Sequence, residues 1–116
     1  MSEPSPLWHR ARVREELSLF ASAEEQLKYE ANVPHVDITA ELLCGWFDDS
    51  YYPNDPVFIS CFSSAELEAL ADFTGYFDAR MDGLPESMGT VNTWLKNPAW
   101  QEVMREASRT LSKIAP

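Results

Sequence analysis

Between residues 29 and 79 the chain has no lysine and no arginine. Ten acids lie in that window: Glu30, Asp37, Glu41, Asp48, Asp49, Asp55, Glu66, Glu68, Asp72 and Asp78. They account for the whole net charge of −10, because residues 1–28 and 80–116 nearly balance, at −1 and +1. A surface built from such a stretch repels phosphates, so direct binding of nucleic acid is not expected. Cysteine is scarce as well. Cys44 and Cys61 show no CxxC or Cys/His spacing, so neither a disulfide framework nor a zinc site is expected, and both read as small buried hydrophobes among apolar neighbours. Four glycines form no phosphate-cradling loop. No apolar run approaches the ~20 residues of a membrane span. Residues 1–6 are polar, expected to be flexible, and lead into no apolar signal core, so a cytoplasmic location is expected.

What is present is a core's worth of apolar residues, 45% of 116, which fits one domain, 1–116, without staples. The periodicity is helical. Val13, Leu17, Phe20 and Leu27, with Ala21 and Ala23, form a stripe from about Arg10 to Ala31. Ser22-Ala23-Glu24-Glu25 has capping-box spacing and marks a break within it. Thr39 or Asp37 caps a short apolar helix to Phe47, and Asp48–Pro56 reads as a loop. Val57–Phe62 reads as a buried extended segment. Ser63-Ser64-Ala65-Glu66 opens a helix to about Arg80. After Gly83, Pro85 and Gly89, Thr90–Leu95 is a helical turn, and Asn97-Pro98 starts the last helix, with Trp100, Val103, Met104, Ala107, Leu111 and Ile114 inward. The fold expected is all-α, a compact single-domain bundle of about four to five helices.

The segment from Trp46 to Pro56 breaks a local rule. Asp48 and Asp49 follow a helix C-terminus, where negative charge is disfavoured by ~0.3–1 kcal/mol each, and Asp78 and Asp82 repeat the pattern at the next long helix. Function overriding stability is one reason for such placement; capping a turn, or pairing with Arg10, Arg12 or Arg80, is the other. Trp46 and Phe47 read as core. Of the adjacent Tyr51 and Tyr52, in a polar loop, at least one is expected to face solvent, and an aromatic beside acids is the usual make-up of an interface centre. The expected partner-binding set is therefore Asp48, Asp49, Tyr51, Tyr52 and Asp55, surrounded by Glu66, Asp72 and Asp78. These acids lack the alternation, glycine and final glutamate of a calcium loop, so no metal or cofactor is expected. A hydrolase needs a nucleophile beside a base. His9 and His35, the chain's two histidines, read as surface or capping residues, and Trp8, Trp94 and Trp100 as structural.

The pattern Trp46-Phe47-Asp48-Asp49-x-Tyr51, then Phe62-Ser63-x-x-Glu66-Leu67-x-x-Leu70, Leu84-Pro85 and Trp94-Leu95-x-x-x-x-Trp100-x-x-Val103-Met104 resembles small bacterial immunity proteins of polymorphic toxin systems, such as contact-dependent growth inhibition. The resemblance spans residues 40–114. It implies a cytoplasmic protein-binding inhibitor, not an enzyme, whose acidic surface covers a cognate basic toxin domain, often a nuclease. These families share no common fold, so the resemblance carries no fold. Two other readings stay open: a small enzyme with a carboxylate- or Cys44-centred pocket, and an adaptor whose acids are only solvated surface. Nothing in the sequence sets the oligomeric state.

Overall fold

Phe20 stands at the centre of a cage of aromatic rings. Trp46, Phe73, Phe77 and Trp100 surround it with ring centroids 5.4–6.3 Å away. The helices that deliver these rings define the fold. In the structure, a computed structural model describing residues 6–32, 38–47, 49–81 and 90–115, the helices are α1 (Pro6–Ala21), α2 (Ala23–Asn32), α3 (Ile38–Phe47), α4 (Pro56–Ser60), α5 (Ser64–Met81), α6 (Val91–Trp94) and α7 (Pro98–Lys113), and the cage rings come from α1, α3, α5 and α7. The fold is all-α, with no strand among the described residues. Five helices run ten residues or more; α6 is the short turn expected at residues 90–95, and α4 is an addition to the expected bundle.

Apolar stripes at helical spacing explain the packing. α1 buries Val13, Leu17 and Phe20; α5 buries Ala69, Leu70, Phe73 and Phe77; α7 buries Trp100, Val103 and Ala107. α7 lies against both α1 and α5, and α1 also touches α2, α3 and α4. Met104 and Leu111, expected inward, are half-buried at the margin of that core. Leu27 departs from expectation. It is exposed, because α2 turns a different residue, Gln26, into the core.

Gln26 is the polar joint of the bundle. The α1–α2 break at Ser22 leaves carbonyls of α1 without helical partners. Gln26 Nε2 donates to Leu19 O and Phe20 O, both at 3.1 Å, and Gln26 Oε1 accepts Trp100 Nε1–H at 3.0 Å. Ser22 Oγ accepts the Glu25 N–H at 3.1 Å, as the capping spacing requires.

Caps set the other boundaries. Asn97 Oδ1 accepts the Ala99 and Trp100 N–H groups, with Pro98 in the first turn. Trp94 and Trp100 then meet at 4.4 Å, edge to face, across that turn. Glu30 on α2 accepts the Val91 N–H at 2.8 Å and so ties α6 down. Residues 57–60 are helical, not extended, because Asp55 accepts the Val57 N–H at 2.8 Å and Pro56 supplies a preset φ at the first position. Cys61, a free thiol, is buried and donates to Val57 O, as a small hydrophobe would. The expectations for residues 1–5, His35, Asp37, Asp48 and Asp82, and for the Cys44 side chain, lie outside what is described. No helix among the described residues is long and apolar enough to cross a membrane.

Candidate functional site

The loop after α3 is built on Ser50. This residue is buried, and its hydroxyl donates to Gly45 O at 2.5 Å while accepting Arg12 Nε–H at 3.2 Å. Tyr51 N–H returns to Trp46 O at 3.0 Å, which closes the C-terminal turn of α3. Asp49, between the turn and Ser50, is exposed. Among the described residues no arginine forms an ion pair with it: Arg10, Arg12 and Arg80 pair instead with Glu66, Glu16 and Glu102.

Both tyrosines are half-buried, so the solvent exposure expected of at least one of them is partial. Tyr51 stacks on Trp46 with ring planes 8° apart and centroids 5.5 Å apart. Burial pushes its hydroxyl pKa up, which the neighbouring Thr74 hydroxyl offsets in part. Thr74 also accepts Trp46 Nε1–H at 3.0 Å, so it meets both the last turn of α3 and the first tyrosine of the loop. Tyr52 lies edge-on to His9 and Phe58. His9 itself is buried among Trp8, Tyr52 and Phe58, contrary to the surface role read from sequence, because the α4 turn folds over the start of α1. Tyr51, Tyr52, Pro53, Asn54 and Asp55 line an open dent of about 360 Å³. Asp55 is half-exposed, one carboxylate oxygen committed to capping α4.

Glu66, expected at the surface among the other acids, is instead turned inward. It is buried and gripped in a two-pronged pair by Arg10, with both N···O distances at 3.0 Å. It also accepts the Ser63 and Ala115 N–H groups, each at 2.9 Å. The Arg10 guanidinium and these two backbone donors hold its pKa near 2, against a smaller upward push from burial. Arg10 further donates to Cys61 O and Ala115 O and lies 5.2 Å from the Phe62 ring centroid. Arg14 donates to Ile114 O. Glu66 is thus a junction for α1, α5 and the C-terminal end of α7.

Asp72 and Asp78 are exposed, and the structure adds Glu68 beside them. The exposed residues of α5 are Ser64, Ala65, Glu68, Ala71, Asp72, Gly75, Asp78 and Ala79, with no cation among them. A Cβ at Gly75 would meet nothing within 4 Å, so the space over the middle of this face is open. Among the described residues no ion pair reaches Asp49, Glu68, Asp72 or Asp78. Arg80 flanks the face but is bound to Glu102 at 2.6 Å and stacked on Tyr76. The outward face of α7, by contrast, shows Arg105, Arg109 and Lys113. No group of three or more His, Cys, Asp or Glu side chains converges to hold a metal ion among the described residues.

Sequence reading missed two members of this region, Glu16 and Gly45. Glu16 is buried beside Gly45, where a Cβ would come within 2.9 Å of its Oε2. Nothing in the sequence marks it, since Glu15-Glu16 reads as solvated helix surface. Compared with protein-family models, curated proteins and solved structures, the chain has no significant match.

Proposed function

We propose that this chain is a protein-binding inhibitor that docks a basic partner domain on its acidic side, in the manner of an immunity protein neutralising a cognate toxin. The reading rests on one observation: the exposed arc of α5 carries Glu68, Asp72 and Asp78 with no cation, and Thr74 of α5 meets both Trp46 near the end of α3 and the Tyr51 hydroxyl in the loop that follows. Unpaired carboxylates on an open face favour a basic surface over an anionic one. Their field speeds encounter, toward ~10⁸–10⁹ M⁻¹s⁻¹ at low salt for strongly steered pairs. Half-buried Tyr51 and Tyr52 supply rigid aromatic edges at low entropy cost. Glu66 is left out of the contact set, and Asp49, Tyr51, Tyr52, Asp55, Asp72 and Asp78 are kept.

The test uses wild-type chain and the Asp72→Lys/Asp78→Lys variant as paired baits in source-cell extract at low salt. A basic protein held by wild type, released by salt and lost from the variant, with helicity unchanged, is the expected outcome. That protein, expressed alone, should arrest growth, and co-expression of the wild-type chain should relieve the arrest. Retention that is equal on both baits, or a captured protein whose toxicity is unaffected by co-expression, would overturn the reading.

A further inference from the structure

Of the adjacent acids on α1, Glu15 is exposed and Glu16 is only 7% exposed. Glu16 Oε1 meets Arg12 at 3.2 Å. Oε2 is buried and has no hydrogen-bond partner among the described residues. It sits against α3 in the space left by Gly45. Arg12 then reaches Ser50, and Ser50 reaches Gly45 O. One Arg–Glu pair on α1 therefore grips the last turn of α3 and the residue between Asp49 and Tyr51. Among the described residues, the charged or titratable groups that face Glu16 are Arg12 and Glu15 from its own helix, Asp49 from the loop, and Tyr29 from α2, with Glu41 of α3 behind Tyr29.

An ionised carboxylate with one dry, unpaired oxygen is the state that burial penalises most. A proton removes that penalty, and a single arginine against several acids offsets it incompletely. We propose that Glu16 is a protonation latch: a proton on its carboxyl tightens the hold of α1 on the C-terminal turn of α3 and on the 49–52 loop. Electrostatics agree with the geometry. Burial raises the Glu16 carboxyl above its ordinary 4.5, Arg12 pulls it back, and Asp49 and Glu15 raise it further. For a group raised in the folded state, the stabilisation is complete below the ordinary value and is lost as pH rises through the raised one. The latch would regulate the loop of the acidic binding surface. Only that consequence rests on the inhibitor reading, since the latch is measurable without a partner.

The experiment is a nuclear magnetic resonance titration of the full chain from about pH 7 to about pH 4. The Glu16 side-chain carboxyl carbon should titrate with a midpoint above 4.5, and the Ser50 and Tyr51 amides should follow the same midpoint. Corrected for intrinsic rates, protection of the Tyr51 N–H should rise several-fold across that transition. In Glu16→Gln the transition should vanish from both amides. In Ser50→Ala, Glu16 should still titrate above 4.5 while the Tyr51 amide no longer follows. A Glu16 midpoint at or below 4.5 would overturn the latch. So would amides that keep their transition in Glu16→Gln or, should that variant not fold, a Tyr51 amide that still follows in Ser50→Ala. Failure of the partner-capture test would leave every one of these readouts unchanged, so the two ideas fail separately.

Discussion

Glu66 and Glu16 show how two carboxylates on one small fold acquire opposite roles. Glu66 has Arg10 on both oxygens and two backbone N–H groups beside them, so its charged form is the stable one. Its pKa falls to about 2 from 4.5. A depressed folded-state value contributes stability that is present above 4.5 and lost as pH falls through about 2. Arg10→Met should cost about 3 kcal/mol, since it strands a largely buried carboxylate, and urea unfolding near pH 7 would measure it. Glu66→Gln should flatten the acid limb of the stability curve. Glu16 carries the reverse sign. Its close contact with Gly45 also sets up a coupling between the two positions. Gly45→Ala should stabilise a Glu16→Ala background by about 1 kcal/mol, through helix propensity alone. With Glu16 in place the new methyl must displace the carboxylate, and the gain should disappear. A double-mutant cycle by urea unfolding reads the difference.

At the scale of elements, caps decide more than propensity. α4 exists because Asp55 and Pro56 open it, although its apolar run is compatible with an extended segment. Asp55→Ala should cost about 1 kcal/mol and reduce exchange protection over residues 57–60, while Asp55→Asn should keep the cap and nearly all of that stability. If Asp55 also touches a partner, the Asn variant isolates the loss of charge from the loss of the cap. The capping spacings at Ser22, Ser63 and Asn97 are local, and each was legible in sequence. Glu66 was legible only in part. Its capping-box position could be read from three residues' spacing, but its ion pair could not, because Arg10 lies 56 residues away. Gln26 was not legible at all. A glutamine in a charged helix reads as surface, and only the carbonyls exposed at the α1–α2 break and the Trp100 indole give it a buried role.

Across the whole molecule, charge is segregated while the core is shared. Acidic α5 and basic-faced α7 pack against one another, with Phe77 edge-on to Trp100 at the seam and their charged faces turned outward. Like charges held on one face repel, and salt screens them over a Debye length of about 10 Å at 0.1 M. The melting temperature of the wild-type chain should therefore rise with added sodium chloride. Asp72→Lys/Asp78→Lys should be more stable at low salt and show a smaller rise, as differential scanning calorimetry would report. Phe20→Ala, by contrast, should cost about 3–5 kcal/mol at any salt, because it empties the centre of the aromatic cage.

The sequence alone determined the helical class, the capped boundaries and the cation-free window. Those properties depend on composition and on residues within a few positions of each other. Tertiary structure alone decided which acids stay exposed and which are buried or paired. Asp49, Glu68, Asp72 and Asp78 stay exposed and unpaired, Asp55 caps a helix, and Glu66 and Glu16 are drawn inward by arginines of α1. A carboxylate's role is set by the solvent and charges around it, and those neighbours arrive from distant parts of the chain only when it folds.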